Sequence, residues 1–197
     1  MDKPYAQLPE VIYAGQTGAG IVEANLESQY TVFYRDNEAL TGLDRANGQR
    51  FRARPELALP MRALWGFSRP SVSVDYTRYT LDDYVLGDGS FDRTVPVAEW
   101  DNGLYFDRQS RLFDVPYNQT LEPRLYYAWA DADPDQNDIP DFDTDLQTFR
   151  FEQLFRPDRF TGGDRVGDAN QLTVALTSRF NDLLTGAERA RFSIGQV

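Results

Sequence analysis

The chain has 197 residues, enough for one large domain, and a net charge of −11 from 20 basic and 31 acidic residues. A nucleic-acid partner is not expected, because a phosphate backbone calls for a basic stripe. Cysteine and histidine are both absent, which excludes disulfides, Cys or His metal sites and any Cys or His nucleophile or base. Without histidine a serine triad is out, and no acidic pair stands out among 31 carboxylates; neither an enzyme nor a cofactor is expected.

Residues 8–14 form a weak first strand whose faces the sequence does not assign. Residues 21–35, IVEANLESQYTVFYR, set Val22, Ala24, Leu26, Ser28, Tyr30, Val32 and Tyr34 against Glu23, Asn25, Glu27, Gln29 and Thr31, with Phe33 the exception. A period of two marks a strand with one apolar and one polar face. The run exceeds the usual soluble strand of about 5–6 residues. It suffices for a tilted strand crossing a bilayer, which needs roughly 9–11.

The same alternation predicts strands over 49–59, 70–80, 94–106, 118–129, 170–180 and 188–196. The apolar sides carry Phe51, Leu57, Val72, Val74, Trp100, Leu125, Trp129, Leu172, Val174, Phe192 and Ile194. The polar sides carry Arg50, Arg52, Arg54, Asp75, Glu99, Asp101, Glu122, Arg124, Thr173 and Arg191. Eight strands in all make an all-β, antiparallel meander with no helical pattern of useful length. No run of about 18 apolar residues suggests a transmembrane helix, and residues 1–10 hold no apolar segment of a signal peptide.

The connections alternate in length. Those at 15–20, 60–66 and 181–187 are short. Those at 36–48, 81–92 and 131–167 are long, and 107–117 is intermediate. Outer-membrane barrels have short periplasmic turns and longer extracellular loops. The pattern predicts a transmembrane barrel wall, with 131–167 as a long extracellular loop and 149–155 inside that loop; eight strands could close a small barrel or form part of a larger one. Prolines 55, 70, 96 and 123 fall within strands on the apolar side, and Pro9 is a candidate fifth strand proline. Proline removes a ladder donor, so bulges are expected near them. A porin-like channel and a soluble β-sandwich binding module fit the same alternation.

On the barrel reading, the candidate lumen-facing residues are Glu23, Asn25, Glu27, Arg50, Arg52, Arg54, Glu122 and Arg124. Arginine forks pair carboxylates bidentately, so an ion-pair ladder is the simplest use of these residues. Contact with a luminal partner or lipid phosphates is the sharper one. Trp100 and Trp129 suit an aromatic girdle. The candidate extracellular-loop residues are Asp135, Asp138, Asp141, Asp164 and Arg165. The acidic run from Asp131 fails as a calcium loop, because its sixth position is Gln136 and its twelfth Phe142. A solvated loop is the simpler expectation, with Asp164 and Arg165 making local pairs and Gly162 and Gly163 supplying positive-φ positions.

Five stretches together resemble a known family. They are KPYAQLPEV (3–11), QTLEPRLYYAW (119–129), DQNDIPDFD (135–143), QLFRPDRFTGGDRVGDANQLTVALTSR (153–179) and ERARFSIGQV (188–197). In this order they are similar to the LPS-assembly outer-membrane proteins of the LptD, or organic-solvent-tolerance, family. The resemblance implies a large transmembrane barrel in the Gram-negative outer membrane, of which residues 1–197 are a middle part without the family's periplasmic jelly-roll domain. It implies lipopolysaccharide as cargo inserted into the outer leaflet, the lipoprotein LptE as a luminal plug, and the remaining barrel and periplasmic domain as further partners. The family's inter-domain disulfides find no cysteine here.

Overall fold

The computed structural model describes residues 4–36, 38–112, 114–132 and 136–197. Among them lie ten strands: β1 (Ala6–Ala19), β2 (Val22–Tyr34), β3 (Asn47–Ala58), β4 (Met61–Ala63), β5 (Gly66–Asp82), β6 (Ser90–Leu104), β7 (Phe106–Leu112), β8 (Val115–Ala130), β9 (Ala169–Asp182) and β10 (Glu188–Gln196). They form one antiparallel sheet in the order β1-β2-β3-β5-β6-β8-β9-β10, with β4 on β5 and β7 on β8. The eight expected strands are all present, and β1 and β10 are not paired with each other.

Three connections differ from expectation. Residues 15–19 of the 15–20 connection belong to β1 and pair with β2, leaving a tight turn at Gly20. The 60–66 turn contains β4, which pairs with the start of β5. The 107–117 connection is mostly strand: β7 continues β6 in the same register against β8, Gly103 facing Arg124 and Phe106 facing Leu121. Pro123, which has no N–H to donate, sits opposite the break between them. The chain then reverses at Asp114, whose φ of 63° is one that Asp tolerates.

Of the bulges expected at strand prolines, the one near Pro9 forms and those at the other four do not. Register runs unshifted past Pro55, Pro70, Pro96 and Pro123. On these long strands one missing donor interrupts the ladder locally, and the flanking pairs hold the register. Shifts occur between Gln7 and Glu10, across Pro9, and between Glu188 and Ala190.

Because the register is continuous, each face can be followed across the sheet. Thr31, Arg50, Tyr79 and Phe91 lie in one cross-strand row; Gln29, Arg52, Thr77 and Arg93 lie in the next. This is the charged face. The other face carries Leu26, Val72, Val174 and Phe192, all exposed. Pairing also assigns β1: Val11 and Tyr13 share the apolar side with Tyr30 and Ser28.

The turns around residue 20, 59–65, 114 and 183–187 lie at one end of the sheet. The longer connections 35–46, 83–89 and 131–168 lie at the other. Phe151–Phe155 is a 3₁₀ turn inside the longest connection. The core lies between this connection and the charged face. One buried cluster joins Phe33, Ala46, Tyr79 and Leu81 to Ile139 and Phe142. A second joins Val95, Val97, Ala130 and Ala169 to Ala132 and Val166. Phe33 breaks the alternation of β2 because it stacks on Phe142, ring centroids 4.5 Å apart.

Candidate functional site: a loop latched over the charged face

Loop 131–168 folds back from the long-loop end and covers part of the charged face. Its main anchor is Asp164, which is 0% exposed, on Arg50, which is 1% exposed. Arg50 Nη1 donates to Asp164 Oδ1 at 2.8 Å. The same guanidinium forks onto Asp143, Nη1 to Oδ1 at 2.7 Å and Nη2 to Oδ2 at 2.6 Å. One strand arginine thus holds both motif segments, DQNDIPDFD and FTGGDRVGD, at once.

Asp164 is further tied down. Tyr79 Oη donates to its Oδ1 at 3.0 Å, and the Phe142 and Asp143 amides donate to its Oδ2 at 2.8 and 3.2 Å. Arg93 donates to the backbone oxygens of Gly163 and Asp164 at 2.8 and 2.7 Å, and Arg52 to that of Gly162 at 2.9 Å. Of the two glycines expected at positive φ, Gly162 alone takes one, and both allow a close approach. Gly162 has φ +71°, and a Cβ there would meet the Asp143 carbonyl oxygen at 2.4 Å. A Cβ on Gly163 would lie 2.7 Å from Arg50 Cζ.

The two carboxyls respond in opposite directions. Burial alone would raise Asp143, but its fork to Arg50 and the Gly163 amide hold it below the ordinary carboxylate value. Burial dominates at Asp164 and, with the neighbouring Asp143 charge opposing the pull of Arg50, holds it above that value.

A second anchor lies further along the loop. Phe155 lies under the Arg124 guanidinium, 3.7 Å from Cζ to ring centroid, and edge-on to Tyr126. Thr173 Oγ1 donates to the Leu154 carbonyl at 2.7 Å. Leu154 approaches β10 where Gly195 leaves room: a Cβ there would meet Leu154 Cδ1 at 2.8 Å. The loop therefore bridges strands from β2 to β10.

The expected lumen-facing residues share the charged face. Arg52 pairs with Asp75, Arg54 with Glu99 at 3.4 Å and Arg124 with Asp101 at 2.6 Å. Glu122 pairs with Arg179. Asn25 donates to Glu56, while Glu23 and Glu27 lie on the same side. Arg50 departs from this ladder to hold the loop. Asp138 and Asp141 are exposed, and Asp135 lies outside the described residues. Asp164 departs from the solvated-loop expectation, and its partners are far off in the chain. Arg165 reaches the Ile139 carbonyl at 2.8 Å. Tyr79, Arg93, Asp143 and Phe155 were not singled out as site residues from sequence. The available signal was the run of bulky groups on an otherwise charged face: Phe33, Tyr79, Val95, Val97 and Tyr126.

An open sheet with one uncovered apolar side, one charged side crossed by ion pairs, and long connections at one end only defines a segment of a membrane β-barrel wall. The comparisons with known proteins agree. Residues 1–197 match the family described as LptD, LPS transport system D, and the chain belongs to that family. It is 84% identical over its whole length to the LPS-assembly protein LptD of Marinobacter nauticus, of which it covers 25%. It is 48% identical over 199 residues to that of Hahella chejuensis, again 25% of the relative. It is 42% identical over 200 residues to that of an Azoarcus species, covering 98% of this chain and 24% of the relative. The chain thus spans about a quarter of the length of these curated relatives.

Proposed function

We propose that this chain is a wall segment of an outer-membrane translocon that inserts lipopolysaccharide into the outer leaflet of a Gram-negative cell. Its role is structural rather than catalytic. The charged face lines the lumen and the apolar face meets lipid. The short turns are periplasmic, and loop 131–167 enters the lumen from the extracellular end. Lipopolysaccharide, the plug LptE, the rest of the barrel and the periplasmic domain are its partners on this reading.

The observation that carries it is the two-faced sheet in a chain of this family. A soluble protein would leave large residues such as Val72, Val174, Phe192 and Ile194 in water, each more than half exposed. The test places a photo-reactive residue at Glu27 or at Leu26 in the full-length protein in cells. Position 27 should crosslink to the plug or to lipopolysaccharide sugars, and position 26 to neither. The reverse pattern would exchange the two faces.

A further inference from the structure

We infer that the β4–β5 hairpin forms a binding site for an anionic glycerophospholipid, with the phosphate at Arg62 and an acyl chain in the adjoining apolar groove. Three observations meet there. The hairpin tip exposes Leu64 completely and Trp65 to 67%, alongside Met61 at 48%. A turn in water has no use for three such residues in five positions, whereas an indole and a leucine suit the membrane interface.

Beside the tip lies a groove of about 680 Å³ lined by Met61, Trp65, Leu104, Pro123, Leu125 and Val174. That is within the usual range of ligand pockets. It lies where β6 ends opposite Pro123.

Arg62 supplies the charge. It lines both this groove and a smaller one of about 490 Å³ beside the hairpin, so it stands at the rim between them. It has no carboxylate partner among the described residues. The carboxylate that lines the smaller groove with it is taken: Asp101 is forked by Arg124. A surplus guanidinium beside an apolar groove matches a lipid phosphate, which a guanidinium can engage bidentately.

The inference rests on the apolar face being the lipid face, as proposed above, but its test does not depend on membrane orientation. Full-length protein in detergent is titrated with phosphatidylglycerol or phosphatidylethanolamine carrying brominated chains. The Trp65 signal is isolated as the difference between the protein and its Trp65→Phe variant. Phosphatidylglycerol should quench that signal at about tenfold lower concentration than phosphatidylethanolamine, and Arg62→Gln should abolish the preference while leaving quenching itself. Equal quenching by both lipids, or a preference that survives Arg62→Gln, overturns the site. Loss of the preference in the presence of equimolar inorganic phosphate shows a free-anion site and overturns the lipid assignment. A tenfold preference that persists when the crosslinking pattern of positions 26 and 27 is reversed separates failure of the lumen assignment from failure of this site.

Discussion

Arg50 and Asp164 stand 114 positions apart in the chain, yet a 2.8 Å hydrogen bond joins them with both side chains buried. The pair fastens a surface connection to the charged side of the sheet. Losing one partner is costly, because the buried charge left behind is uncompensated.

Arg50→Met should therefore release loop 131–168. It strands two carboxylates, one of them buried, and the expected cost is about 3–5 kcal/mol. Hydrogen exchange of the loop in the full-length protein measures it. Pairing Arg50→Met with Asp164→Leu should recover part of the loss, since apolar replacement of both partners is far milder. Native-like protection in Arg50→Met alone would show that the loop is held elsewhere.

Gly163→Ala tests the fit without touching a charge. The new methyl would stand 2.7 Å from Arg50 Cζ, so arginine or loop must move. Overpacking of this kind costs roughly 1–3 kcal/mol. Exchange should rise in 141–167 and stay unchanged in the β9–β10 turn. A silent Gly163→Ala would mean that the loop approaches less closely.

Acidification should act in two stages. Asp164 has a raised value in the folded loop, so keeping it ionised opposes docking, and that cost fades as pH falls through the raised value. Asp143 has a lowered value, so its contribution is complete above the ordinary carboxylate value of about 3.9 and is lost as pH falls through the lower one. The distance between spin labels at positions 145 and 27 should hold or tighten from pH 7 down to about 4 and lengthen below it. Lengthening that begins near pH 6 would contradict this assignment.

Val174→Arg reads the outer face. Val174 is 55% exposed on the apolar side, and an arginine facing the bilayer midplane costs about 2–4 kcal/mol. Assembly of the full-length variant should fall, whereas Val174→Leu should be neutral. Unimpaired assembly of the arginine variant would count against lipid contact at this position.

Thiol labelling reads the ends. Asp138→Cys and Ala63→Cys, made separately in full-length protein with other cysteines accounted for, are exposed on intact cells to a reagent too large to cross the outer membrane. Position 138 should label and position 63 should not. The opposite result inverts the proposed topology, and labelling of neither would place residue 138 inside the lumen.

Period two made most of this sheet legible, since a strand covered on one side by lipid and on the other by polar contacts must alternate. It assigned Leu26 and Val174 to one side and Asp75 and Thr173 to the other, as the register bears out. It missed β7, FDRQSRL, whose polar run reads as a connection; pairing with β8 makes it a strand. The latch was illegible for another reason. Alternation reports which side a residue takes, not what later covers it, and Arg50 looks like Arg52 and Arg54 until Gly163 and Asp164 arrive from the far end of the chain.

That separation has a kinetic consequence. Hairpins such as β1–β2 or β9–β10 close over few residues, whereas the Arg50–Asp164 contact must close a stretch of 114 positions, and its surroundings exist only once β3, β5 and β6 stand side by side. The latch is therefore expected to be among the last contacts made, a completion signal for this part of the wall. Until then a guanidinium and two carboxylates stay hydrated, and a chain stalled short of that point keeps loop 131–168 open to proteases.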